Sequence, residues 1–346
     1  MATIREISEK AGVSIATVSK VLNGKPGVKQ ETANEILAIV DRLNYRPNLN
    51  ARFLKSGRSQ TLGIITEDLT VFNSPEIVDG IAVACEERGY HYILGNLRFN
   101  KRYGNGPRND SESAGLLLAT VNDMLSKQVD GIVYIGCHSH VVVSLTDHAD
   151  VPFVCAYCTS SDPNIPSVLY DDRTAACQAA NVLVGKGVSE VGMITGPMNS
   201  IHSINRMYGF QDALFKAGIP YNPSFTLNGG WDRESGYKLG AKLVRAGVKA
   251  IFAHNDLIAT GVIDWCNQNG ILVGRDLYLI GFDNREISTV SRPTLSTVAL
   301  PLFEIGLTSG NILLDILAGR NILNRSVLLG CNIIERESTD CSYTDK

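Results

Sequence analysis

Residues 2–52, ATIREISEKAGVSIATVSKVLNGKPGVKQETANEILAIVDRLNYRPNLNAR, decide the reading of this 346-residue chain. Ile4, Ile7 and Ala11 recur at helical spacing, with Thr3 placed to cap the helix and Glu6 as its reciprocal partner. Gly12 supplies a tight turn, and Ser14 caps a second short helix over 15–22 whose inward face is Val18, Val21 and Leu22. A third helix runs from about Gln30 to Leu43 with Ala33, Ile36, Leu37 and Val40 facing inward. Two short helices joined by a glycine-containing turn form a helix-turn-helix. If Val18 and Val21 point inward, Ile15, Ala16 and Lys20 point outward, flanked by Thr17 and Ser19. In a major groove Lys20 can donate to guanine O6 and N7, while Ile15 and Ala16 offer apolar surface to a thymine methyl. Thr3, Ser14, Thr17, Ser19 and Asn23 are short polar groups suited to phosphate oxygens. A helical hairpin buried in an unrelated core has the same spacing, so spacing alone leaves both readings open.

Charge separates them further. The net charge of -3 hides a basic head: residues 1–60 hold ten Lys/Arg against five acids, or +5, leaving -8 on the remaining 286 residues. A basic end on an acidic body suits a polyanionic partner at that end.

The pieces AGVS, ATVS, VLNG, NYRPN and the following Ala-Arg, spread over fifty contiguous residues, resemble the DNA-binding head of LacI/GalR-family transcription regulators. The resemblance implies a hinge helix after the third helix, which pairs with the partner subunit's hinge in the minor groove and opens the central base step. Matched position by position, that hinge is about Pro47–Lys55, within a hinge and linker of 47–60 that follows a head of 1–46. Asn48 and Ala51 would face the groove and Leu54 would be the wedge. Pro47 suits a helix start, and an apolar wedge beside Arg52 and Lys55 suits minor-groove kinking. An ordinary linker leucine is the alternative for Leu54.

Working outward from the head, short apolar runs alternate with helical patterns from Thr61 onward. Strands are expected at 62–66, 91–96, 131–136, 152–157, 167–171, 190–195, 250–254 and 277–282. Helices are expected near 76–88, 113–127, 173–186, 203–218, 233–245, 256–269 and 302–318. Continuous apolar strands alternating with helices give an α/β fold with parallel sheets and right-handed crossovers. The rhythm runs twice, which predicts the two-lobed periplasmic-binding-protein-like body that the resemblance also implies. The expected division of 61–340 is a first lobe of about 61–159 and 292–319 and a second of about 160–291 and 320–340. Residues 98–112, RFNKRYGNGPRNDSE, read as a surface insertion.

Ligands of open α/β sheets bind beyond the carboxyl ends of the strands. Arg206 in NRMYGF resembles the family's effector-binding arginine and can grip a carboxylate or hydroxyls with its fork. Trp231 in GGWDRESGY matches the family's ring-stacking aromatic. Asn255 in HNDLIATG would hydrogen-bond ligand hydroxyls, with Asp256 capping the following helix. Asp283 in GFDN sits where a bidentate hydroxyl acceptor belongs, and Asp171 in YDD matches the acid of the family's VDN. The chain departs from the family after the first strand, where the usual aromatic pair is replaced by Asn73 and Ser74, with Phe72 one residue away. A more polar pocket wall favours a hydroxyl-rich effector, a sugar or sugar derivative, although an unusual effector is equally compatible.

These expectations describe a transcription regulator, of repressor type, that binds pseudo-palindromic double-stranded operator DNA as a homodimer under small-molecule control. The effector would act as inducer or corepressor. A dimer is expected because only Thr339–Lys346 follow CNIIERES, too short for a heptad tail. No apolar run nears the roughly eighteen residues of a membrane span, and the charged N-terminus lacks a signal-peptide core, so a cytoplasmic location is expected. That absence and the basic head argue against a transport receptor sharing the same body. No nucleophile–base pair, metal cluster or phosphate-cradling glycine loop stands out, so neither enzyme activity nor a cofactor is expected. The eight cysteines are scattered; only Cys155 and Cys158 have metal-like spacing, inside a run that reads as a buried strand end.

Overall fold

A computed structural model describes residues 3–22, 24–45, 58–103, 110–143 and 151–340. It divides into two units, Met1–Ser59 and Gln60–Lys346.

The first unit contains α1 (Ile4–Ala11), α2 (Ile15–Leu22) and α3 (Gln30–Arg42). Thr3 caps α1 by accepting from the Glu6 N–H at 3.2 Å, and Gly12 ends it in the left-handed conformation at φ 63°. Ser14 does the same for α2, its hydroxyl accepting from the Thr17 N–H at 3.1 Å. Ile7, Val18, Ile36 and Ile39 are the buried core. Sequence spacing placed Leu37 inward, but it is 46% exposed and Ile39 takes the inward place. Ile36 and Ile39 stand three apart, so the helix rests on an i, i+3 ridge and turns Leu37 away.

In the second unit two parallel sheets carry the fold. The larger has six strands in the order Ser326–Leu329, Ser167–Tyr170, Phe153–Ala156, Gly131–Ile135, Thr61–Thr66, His91–Asn96. The smaller has four, in the order Tyr278–Ile280, Ala250–Ala253, Val191–Thr195, Thr226–Asn228. Central strands such as Thr61–Thr66 are buried along their whole length, as expected when helices cover both faces of a parallel sheet. The covering helices pack in pairs, and glycine sets how closely. A Cβ on Gly306 would lie 2.0 Å from the Ile77 carbonyl, and one on Gly80 would lie 2.1 Å from the Phe303 carbonyl. The Ser74–Glu87 and Leu302–Leu317 helices therefore touch backbone to backbone. Gly236 and Gly261 do the same for Arg233–Arg245 against Asp256–Gln268.

The chain crosses between the lobes later than its apolar rhythm suggested. Ser167–Tyr170 pairs with Phe153–Ala156 in the first sheet, so the first crossing follows Tyr170 rather than residue 159. Ser296 and Ala299 still bridge to Ile280 and Asp283, so the return comes after Ala299 rather than at 292. Ser326–Leu329 pairs with Ser167–Tyr170, which moves the last crossing from 320 to Gly330. Alternation of strands and helices marks where strands occur; pairing partners decide which sheet each joins, and those are distant in sequence. The supposed surface insertion at 98–112 is also partly structured: Phe99–Tyr103 is a helix with Phe99 buried, and a second helix starts at Asp110. Six of the cysteines, Cys155 and Cys158 among them, are free and buried.

Candidate functional site

The head presents the face expected of it. Val18 is fully buried, Ile15, Ala16 and Lys20 are exposed, and Thr17 and Ser19 lie half-buried on the flanks. The Ser14 and Thr17 hydroxyls stand 2.9 Å apart at the helix start, beside the N–H groups that favour an anion. Thr3 stands at the α1 start, its hydroxyl committed to the cap. Asn23 and the hinge positions Asn48, Ala51 and Leu54 lie outside the described residues.

The second site gathers at the carboxyl ends of the two sheets. Arg206, near the start of the Ile201–Lys216 helix, is only 3% exposed. Its Nε donates to Asp172 Oδ1 at 2.8 Å and one Nη to the Tyr170 hydroxyl at 2.9 Å; the other Nη donates to the His254 carbonyl. The guanidinium lies over the Phe282 ring at 3.6 Å and faces the Trp231 ring at 5.8 Å. Asp283 Oδ1 stands 3.7 Å from it.

His202, one helical turn before Arg206, ties the lobes together. Its Nε2 accepts from the Ser139 N–H at 3.0 Å, so the ring proton sits on Nδ1, 2.6 Å from Asp172 Oδ2. The ring stacks on Tyr170 with centroids 5.6 Å apart, and Tyr157 stands 5.9 Å away. Burial opposes charge on Asp172, but His202 and Arg206 outweigh it and hold the carboxyl below the usual aspartate range. For Asp283 burial wins over the Arg206 and Arg285 charges, and its carboxyl is pushed up to about 6. Burial and the Asp283 charge push Asp256 up to about 8. His254 is held well below the ordinary histidine range by burial and by the Arg206 charge.

Asp283 and Asn284 have φ of 104° and 52°, a left-handed stretch that non-glycine residues adopt only under constraint. The constraint is visible: the Asp283 N–H donates to the Val298 carbonyl at 2.9 Å, and Arg336 Nη2 donates to Asn284 Oδ1 at 2.8 Å. Across the cleft the Arg285 guanidinium covers the Phe72 ring of the facing lobe at 5.0 Å. Asn73 is fully buried, donating through Nδ2 to the Gly136 carbonyl at 3.0 Å while its Oδ1 has no partner. Ser74 is spent on local structure, its hydroxyl donating to the Asp68 carbonyl at 2.8 Å. A cavity of about 290 Å³ opens beside these groups, lined by Phe72, Glu76, Asp283, Arg285, Glu286 and Leu302 among others.

Two residues depart from the roles expected of them. Asn255, not Asp256, caps the Asp256–Gln268 helix, accepting from the Ile258 N–H at 2.8 Å, and its Nδ2 donates to the Trp231 carbonyl at 3.1 Å. Asp256 is instead fully buried, accepting from the Thr297 hydroxyl at 2.6 Å and the Arg285 N–H at 2.7 Å. Only a glycine fits beside it, since a Cβ on Gly281 would lie 2.3 Å from its Oδ1. Asp171 likewise caps a helix through the Thr174 N–H. The sequence reading missed Asp172, His202, Tyr157 and Tyr170. The doubled acid in YDD at the end of a strand was the one signal for any of them.

Comparison with known proteins places these two regions in one context. Residues 3–48 match the model described as bacterial regulatory proteins, lacI family, and residues 180–339 match the periplasmic binding protein-like domain. The chain is 34% identical over 341 residues to catabolite control protein A of Priestia megaterium, covering 97% of this chain and 99% of that protein. It is 30% identical to the HTH-type transcriptional repressor CytR of Escherichia coli K12, covering 98% of this chain and 96% of CytR. Its fold is similar to the Lac repressor dimer bound to operator and the anti-inducer ONPF, with a TM-score of 0.75, 22% identity and coverage of 98% and 99%.

Proposed function

Because the chain belongs to the lacI family of bacterial regulatory proteins, we propose that its two sites work together as an effector-controlled repressor in the cytoplasm. The observation that carries this reading is the exposed α2 face: Ile15, Ala16 and Lys20 stand clear of the core while Val18 anchors the helix beneath them. That arrangement suits a recognition helix in the major groove, with Lys20 on a guanine edge and Ser14, Thr17 and Ser19 on phosphates. A two-fold dimer reads two half-sites, so the operator is a pseudo-palindrome. The Lac repressor with the same fold is a dimer on its operator, which supports this assembly.

The cleft formed by Phe72, Asn73, Arg206, Trp231, Asn255 and Asp283 is the effector site in this reading, and Ser74 supports its wall. Effector binding changes how the lobes close, and closure reaches the DNA through the segment joining the units. The role is binding rather than turnover: Arg206, Asn255 and Asp283 form a set of donors and acceptors with no nucleophile among them.

Footprinting on the DNA flanking the protein's own gene tests the reading. A symmetric protected site is expected, with affinity falling steeply between low and moderate salt. Lys20→Ala should weaken that site by about 1–3 kcal/mol while relaxing discrimination at one position in each half-site. Absence of any symmetric protection would remove the operator-binding role, and sedimentation as a monomer or tetramer would remove the dimer.

A further inference from the structure

We infer that the cleft takes a hydroxyl-rich ligand without negative charge and rejects its phosphorylated or carboxylated counterpart, and that Asp172 sets this preference. The inference rests on the cleft being the effector site.

An arginine facing a ligand cleft ordinarily invites an anion, since its planar fork matches carboxylate and phosphate. Here the fork is already engaged. Asp172 takes Nε at 2.8 Å, the Tyr170 hydroxyl takes one Nη at 2.9 Å and the His254 carbonyl takes the other. Phe282 covers one face of the guanidinium at 3.6 Å. With Asp172 and Asp283 both beside it, one buried cation faces two carboxylates. The adjoining cavity repeats the imbalance: Glu76, Asp283 and Glu286 line it against Arg285 alone. An anionic group entering either place meets more carboxylate than free cation, in surroundings where charges are poorly screened.

What the site offers is acceptors. The Asp283 carboxylate receives no hydrogen bond among the described residues, its nearest cation being Arg206 at 3.7 Å. Asn73 Oδ1, next to Phe72, is buried and has no partner among the described residues. Groups of this kind are satisfied by hydroxyl donors.

The test uses the full-length protein and matched probes: ribose with ribose 5-phosphate, glucose with glucose 6-phosphate, and cytidine with cytidine monophosphate. Each is assayed by thermal shift and titration calorimetry against wild type and Asp172→Asn. The expected result is that a neutral member stabilises wild type and its phosphorylated mate binds at least about tenfold more weakly. In Asp172→Asn, which removes the negative charge beside the guanidinium, that ratio should narrow by about tenfold. A phosphorylated member binding wild type as tightly as its neutral mate overturns the charge preference and leaves the effector site standing. A ratio unchanged in Asp172→Asn overturns the role of that residue, while the wild-type comparison stands even if the variant does not fold. No response to any probe in either protein removes the effector site itself and the preference with it.

Discussion

The two candidate sites are built on opposite plans. In the head the groups offered to a partner are exposed, consecutive in sequence and held up by four buried side chains, Ile7, Val18, Ile36 and Ile39. In the cleft most are buried and bonded to one another: Arg206 is 3% exposed, Asp172 and Tyr170 hydrogen-bond it, and His202 and Asp283 stand close by from other segments. The head can change its partner contacts with little effect on its fold. The cleft cannot, because its specificity and its stability reside in the same hydrogen bonds.

Breaking each plan at its centre gives the largest contrast. Arg206→Ala strips the counter-charge from buried Asp172 and Asp283, and should cost the body about 3–5 kcal/mol in a urea titration. Trp231 and Trp265, both in the second lobe, report that transition by fluorescence. Ile36→Ala should cost the head about 2–5 kcal/mol, enough to abolish operator binding while the tryptophan transition stays at its wild-type midpoint.

A pH-dependent effect sharpens the view that the cleft stores opposed charges. The carboxyl of Asp256, pushed up to about 8, favours the protonated form in the fold, whereas in the unfolded chain it ionises near the ordinary aspartate value of 3.8. The native state therefore binds more protons across that interval, and its stability falls as pH rises from about 4 to 8. Asp256→Asn keeps the acceptance from the Arg285 N–H, turns the Thr297 contact into a donation to that hydroxyl, and removes this loss. Thermal midpoints should show the variant above wild type at pH 8, with the gap closing toward pH 4. A constant gap would show that the carboxyl is ionised throughout. The smallest effect expected is about 1 kcal/mol for Thr3→Ala, through the lost cap on α1, seen as a lower concentration of urea needed to end DNA binding.

The same contrast explains what could be read from sequence. In the head, caps, turn and outward face follow from spacing within some twenty residues, while the orientation of Leu37 was misjudged and the Glu6 carboxylate pairs with Lys10 instead of closing the cap. The body's strands and helices were legible because buried parallel strands are continuous apolar runs. Which sheet each strand joins was not, since Ser167–Tyr170 finds its neighbours at Phe153–Ala156 and at Ser326–Leu329. Motif matching found Arg206, Trp231, Asn255 and Asp283 as individual residues. The partners that determine what Arg206 can do, Asp172, Tyr170 and the His254 carbonyl, carry no local pattern. The cap falling on Asn255 rather than Asp256 has a similar origin: both residue types cap helices, and only the fold decides which points into the core.

The late crossings have a mechanical meaning. Three strands of backbone, after Tyr170, after Ala299 and at Gly330, join the lobes, and the antiparallel ladder between Thr297–Ala299 and Asn332–Ile334 laces two of them together. A single tether would allow swivel, twist and bend alike. Three tethers, two of them stitched side by side, restrict swivel and twist and favour a door-like opening and closing about one axis.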